Sequence, residues 1–173
     1  QLCDRAYLPA ADLSKRLRER SQPLFAIECR RPLSAFDILG FSLSYELGAT
    51  NILEMLDLAG IPLHSKKRGN FSIGHQNSPP LIFAGGPTTT SNPEPYASFF
   101  DFFALGDGEE LLPEIGLVVA EAKKSELSRT ALLRDLTEIP GVYVPSLYKT
   151  GKDKTSIIPK EASIPKRVIR RVA

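Results

Sequence analysis

The chain has 173 residues, enough for one domain or one domain with an extension. It is 42% hydrophobic with a net charge of +2 and both charge signs mixed, an ordinary composition for a soluble globular protein. No apolar stretch reaches the roughly 18–20 residues that a membrane-spanning helix needs. The start carries neither an initiator Met nor the basic-then-apolar pattern of a secretion signal, so the chain reads as processed or cut from something longer.

The predicted elements run in this order. Ala6-Tyr7-Leu8 is a short strand candidate closed by Pro9, and Asp12 then caps a helix with Leu13 and Leu17 on one face. Residues 24–28 suggest a brief strand before Arg30-Arg31-Pro32. The stretch from Asp37 to Tyr45 opens as a near-continuous apolar run, the mark of a strand covered on both faces. Asn51, with Glu54 three positions on, predicts a helix over residues 52–59, stopped by Gly60. Residues 62–78 are polar and read as a mobile surface loop. Leu81-Ile82-Phe83-Ala84 is a buried strand, and Asn92-Pro93-Glu94-Pro95 starts a short helix over residues 96–100. Phe102-Phe103-Ala104-Leu105 is the next strand. After it, Leu111, Ile115, Val118, Val119 and Ala122 form one apolar helical stripe, with Pro113 tolerated in the first turns. A further helix over residues 128–138 ends at Pro140-Gly141. Val142-Tyr143-Val144-Pro145 and Ile157-Ile158-Pro159 are proline-bounded, hence edge strands or extended linker.

This alternation predicts an α/β fold with a doubly wound, mostly parallel sheet. The strong first strand usual in such sheets has no candidate before Ala6. Residues 1–148 make the domain and carry a charge of −4, whereas residues 149–173 form a basic extended tail of +6. Such a tail reads as a linker or an arm docking on an acidic neighbouring domain, with nucleic-acid binding as the alternative. Cys3 and Cys29 form no ligand cluster or disulfide framework and read as reduced thiols in a cytoplasmic setting.

Ligands of open α/β sheets sit beyond the carboxyl ends of the strands. Three corners qualify. The first holds Ser42, Ser44, Tyr45, Glu46 and Gly48, offering hydroxyls, a carboxylate and a helix start. The second is Gly85-Gly86-Pro87-Thr88, where two glycines permit close backbone approach. The third is Gly106-Asp107-Gly108-Glu109, whose acids equally suit a helix start. None is a phosphate-binding or dinucleotide fingerprint. His64 and His75 lie eleven residues apart without a nearby cysteine, and no nucleophile–base pair stands out, so the residues alone make no catalyst.

Taken together, Arg5-Ala6-Tyr7-Leu8-Pro9, the run from Pro32 to Leu47, the run from Asn51 to Leu63, Ala84-Gly85-Gly86-Pro87 with Asn92-Pro93-Glu94-Pro95, and Gly106-Asp107-Gly108-Glu109-Glu110 resemble a known pattern. It is that of the N-terminal, cobalamin-binding-type region of radical S-adenosylmethionine (SAM) proteins. Within these it resembles a bacterial group labelled iron–sulfur oxidoreductases. The resemblance covers residues 5–148. It implies a Rossmann-like domain ahead of a radical SAM barrel, which is the expected partner and carries a Cys-x-x-x-Cys-x-x-Cys motif for a [4Fe–4S] cluster and binds SAM. It also implies that the three corners face a corrin ring or a substrate. The chain contains no such cysteine triad, and the Asp-x-His-x-x-Gly loop that supplies a cobalt ligand in this kind of domain has no counterpart here.

Overall fold

The computed structural model describes residues 3–74, 78–153 and 155–172; His75 and Lys154 lie outside the described residues. Its centre is a four-stranded sheet in the order β1 (Ile38–Ser42), β2 (Leu81–Gly85), β3 (Phe102–Ala104), β4 (Val142–Tyr143). The first three strands are parallel, and β4 is antiparallel to β3. The architecture is thus the expected α/β class with a mostly parallel, Rossmann-like sheet. Ser42 pairs with Gly85, and Gly85 with Ala104, so the three parallel strands end side by side.

The order of burial explains the sheet. Leu81, Ile82, Ala84, Phe102 and Phe103 are almost wholly enclosed, as uniformly apolar strands covered on both faces must be. The rings of Phe83 and Phe102 stack across the β2–β3 pair with centroids 4.9 Å apart. The described residues form five α-helices, α1 (Ala11–Glu19), α2 (Gly48–Leu58), α3 (Pro87–Ser91), α4 (Gly108–Lys124) and α5 (Arg129–Leu136), of which α3 and α4 pack on the strands, α1 on α2 and α5 on α4. In α4, Leu111, Ile115, Val119 and Ala122 are buried at the predicted spacing, while Val118 is half-buried. Ser128 caps α5, its hydroxyl accepting from Ala131 N–H at 3.3 Å. Beyond the sheet, β5 (Tyr148–Thr150) and β6 (Ile157–Pro159) form an antiparallel hairpin.

Several local expectations are corrected. Residues 6–8 form no strand, and residues 24–28 contribute one isolated bridge, Phe25 to Pro32. The second helix starts at Gly48, because the carbonyls of Tyr45 and Glu46 already accept from Gly48 and Ala49 N–H; Asn51 is therefore inside the helix rather than its cap. The short helix lies over Pro87–Ser91, before Asn92. After it, the Asn92 side chain accepts from Glu94 N–H, and only a single 3-10 turn, Glu94–Tyr96, follows. Of the stretch expected to be a mobile loop, residues 62–68 are instead anchored by Arg68, whose side chain is fully buried, and residues 75–77 lie outside the described residues.

Candidate functional site

The three strand ends lie on one face, and each corner leans on the next. Leu43 turns inward and donates its N–H to Gly85 O at 2.8 Å, while its own carbonyl accepts from Thr88 N–H at 3.2 Å. Gly86 has φ 106° and ψ 176°, a conformation open almost only to glycine. A Cβ there would sit 2.9 Å from Leu43 O. The glycine is thus required by the first corner's backbone. Thr90 ties the second corner to the third by accepting from Gly106 N–H at 3.2 Å. With strands about 4.8 Å apart, the first and third corners stand about 10 Å from one another.

The third corner is covered by the chain's own tail. Arg171 N–H donates to Leu105 O at 2.8 Å, and Arg171 O accepts from Asp107 N–H at 3.1 Å, making a parallel bridge across Gly106. A Cβ on Gly106, whose φ is 103°, would collide with that backbone. The Arg171 guanidinium reaches Glu110 at 2.9 Å and Glu114 at 2.6 Å. Its proton is held more firmly than usual, first through the hydrogen bond to Glu110. The acidic turn therefore has two roles: it starts α4, and it grips the tail.

The predicted groups that remain open to solvent are Ser42, Ser44, Tyr45, Glu46, Pro87, Asp107 and Glu109; Gly48, Gly85, Thr88 and Gly108 are half-buried. Together they make a shallow polar face able to hydrogen-bond a ligand or a neighbouring surface. His64 stacks on Phe99 with centroids 5.2 Å apart. Among the described residues no cluster of three His, Cys, Asp or Glu side chains could hold a metal ion, and Cys3 and Cys29 are free. Asp4 instead serves the loop around Cys29: it accepts from Cys29 N–H at 2.8 Å and from Glu28 N–H at 3.1 Å. Hydrogen bonding from Cys29 leads the effects that hold the Asp4 carboxyl below its usual range.

One polar constellation escaped the sequence reading. Asp101, just before β3, is buried between Arg68 at 2.9 Å and Arg129 at 2.6 Å, and the same oxygen accepts from Ile82 N–H at 2.7 Å. Arg68 also donates to the carbonyls of Pro62, Leu63 and Phe99, and Arg129 to those of Pro79 and Pro80. These bonds clamp the 62–68 segment and the entry to β2 around the start of β3. The cluster braces the end of the sheet opposite the corners. Burial pushes the Arg68 guanidinium below its ordinary range, Asp101 opposes that shift, and Arg129 adds to it. In the sequence Arg68 closes a Lys-Lys-Arg run and Arg129 stands between Ser128 and Thr130, and neither pattern points to burial.

Two hollows lie away from the predicted corners. One, of about 550 Å³, runs along α1 and is lined by residues such as Leu8, Ser14, Arg18 and Glu54. The other, of about 330 Å³, lies beside Asp37, Ser78 and Lys123, where the strands begin.

Comparison of the chain with known protein families finds a match. The model of the N-terminal region of radical SAM proteins matches residues 1–145. Searches of curated proteins and of solved structures returned no match. Since the family match runs through most of the 173 residues, from the first helix to the edge strand of the sheet, the chain belongs to the radical SAM protein N-terminal family.

Proposed function

We propose that this chain is the N-terminal accessory domain of a radical SAM iron–sulfur enzyme, holding a substrate or corrinoid against the radical SAM domain without performing chemistry itself. The observation that carries the reading is the family match over residues 1–145, joined to three strand ends that share one polar face. The family implies a C-terminal radical SAM domain as partner, and a [4Fe–4S] cluster with SAM in the parent protein.

The cluster does not fit this chain, which has two cysteines and, among the described residues, no group of three possible ligands. A corrin ring fits the corners poorly. The space beside Gly86 is taken by Leu43, and that beside Gly106 by Arg171. Of the two candidates, a polar substrate suits the face better. Ser42, Ser44 and Thr88 can hydrogen-bond it, the Tyr45 phenol can donate to it, and Glu46 and Glu109 can accept from its donors. A cytoplasmic setting belongs to the same proposal and rests on the two free thiols. The nucleic-acid reading of the tail loses force because Arg171 is engaged by Glu110 and Glu114. No helix among the described residues is long and apolar enough to cross a membrane.

The test uses the full-length enzyme. Ser44→Ala with Tyr45→Phe is expected to slow substrate turnover while leaving the iron–sulfur absorbance and basal SAM cleavage unchanged. Unaltered turnover would remove the face from the function. Titration of the same protein with hydroxocobalamin is expected to leave the corrin spectrum unshifted; a shift with co-elution on gel filtration would restore the corrinoid.

A further inference from the structure

Of the four most exposed large apolar side chains among the described residues, three border the strand-end face: Leu47 at 76%, Ile169 at 70% and Val172 at 65%. Leu47 sits at the mouth of α2 beside the first corner, next to Tyr45, which is 56% exposed. Ile169 and Val172 flank Arg171, whose backbone is bonded on both sides of Gly106. Leu112, 47% exposed, lies where a Cβ on Gly108 would touch it at 3.4 Å. Apolar groups therefore border the polar corners on two sides. An apolar patch adjoining polar groups is the composition of a protein interface.

The tail says which partner this face meets. Two backbone hydrogen bonds and two ion pairs fix Arg171 at the third corner, so residue 172 is delivered onto the strand-end face. The family description places a radical SAM domain C-terminal to this region. We propose that the strand-end face is the surface on which the radical SAM domain of the same polypeptide docks, with the Arg171 strap fixing where the chain passes from one to the other. This rests on the accessory-domain reading above and adds the surface and its anchor. Leu47 and Tyr45 supply apolar contact on one side, Ile169 and Val172 on the other, and the corner hydroxyls remain at the seam where a substrate would be held.

The experiment places a photo-crosslinking side chain at Leu47, at Val172, or at Phe71 in the full-length protein. Phe71 is a suitable control: it is 55% exposed, and its carbonyl accepts from Arg129 N–H, beside the clamp that precedes β2. Crosslinks from 47 and 172 to residues beyond 173 of the same molecule, and none from 71, are expected. Arg171→Glu, which sets a carboxylate against Glu110 and Glu114, is expected to cut the yield from position 47 roughly threefold or more, and Arg171→Lys to retain most of it. Crosslinks from 71 alone, or links between two copies from 47, would overturn the docking face. Iron–sulfur absorbance and SAM cleavage are scored on the same sample. Their absence defeats the accessory-domain reading, whereas their presence with crosslinks only from 71 defeats the docking surface alone.

Discussion

Asp101 ties two buried arginines to the start of β2. Its carboxylate stands between two guanidiniums and also holds the first part of β2 through Ile82 N–H. Removing one member of a buried ion cluster leaves uncompensated charge, which typically costs about 3–5 kcal/mol. Asp101→Asn is accordingly expected to lower the unfolding free energy by about that amount in urea denaturation, and an effect under about 1 kcal/mol would mean that the two arginines find other partners. This cluster was not legible in the sequence. Arg68 follows two lysines and reads as part of a solvated run, and nothing in its spacing from Asp101 or Arg129 indicates a meeting. Asp153 is the opposite case, an exposed carboxylate in the β5–β6 turn. It accepts from Ser156 N–H at 3.0 Å, Ser156 hydroxyl at 2.7 Å and Thr155 N–H at 3.2 Å. These bonds, the Ser156 backbone first, lower it from 3.8 to about 2. A depressed carboxyl pKa adds stability above the unfolded value and loses it as pH falls through the folded one. The hairpin turn should therefore hold at neutral pH and loosen from about pH 4 down to about 2. An NMR titration of the Asp153 carboxyl checks this, and a midpoint near 4 would remove the turn's claim on that carboxylate.

At the scale of elements, glycine corners were visible in the sequence as places of close approach, but what approaches was not. Gly85-Gly86-Pro87 suggested room for a ligand, and the structure fills the space at Gly86 with the Leu43 backbone. The reason is geometric. Parallel neighbouring strands that end in register bring their outgoing corners within one strand spacing, and only glycine tolerates that contact. Gly60 and Gly86 both have positive φ, yet they predict different penalties. Alanine at Gly60, with φ 68° and nothing within 4 Å, should cost about 1–2 kcal/mol of left-handed strain. Alanine at Gly86 adds a collision with Leu43 to backbone strain of about 1–3 kcal/mol. In thermal or urea unfolding Gly86→Ala is expected to be the more damaging of the two. Equal losses would show that the first corner yields easily. Helix stripes were the most legible elements: α4 buries four of the five positions named from spacing alone, because a period of 3.6 survives without knowledge of the partner.

Over the whole molecule the charge imbalance between body and tail was plain, and its consequence was not. A tail of +6 against a body of −4 suggested an arm for another domain, yet part of that charge closes on its own chain. Arg171 pairs with Glu110 and Glu114, and Glu161 with Arg134. A single-residue bridge such as Gly106 to Arg171 has no periodicity, so no sequence pattern announces it. The strap and the core differ in what holds them. The core is a continuous apolar cluster from Leu17 to Ile164, which salt does not weaken. The Arg171 pairs involve carboxylates 63% and 41% exposed, where such pairs contribute about 0–1 kcal/mol each and are screened within about 3 Å at 1 M salt. Raising salt from about 0.1 to 1 M should therefore free the strap while the sheet stays folded. Tryptic cleavage after Arg167 and Arg170 is expected to accelerate roughly two- to fivefold, corrected for trypsin's own salt response on a short peptide, with the melting temperature unchanged or raised. If cleavage does not respond, the two backbone bonds at Gly106 hold the strap by themselves. If the melting temperature falls in step with it, strap and core are one cooperative unit, and the tail is then as much a part of this fold as its fourth strand.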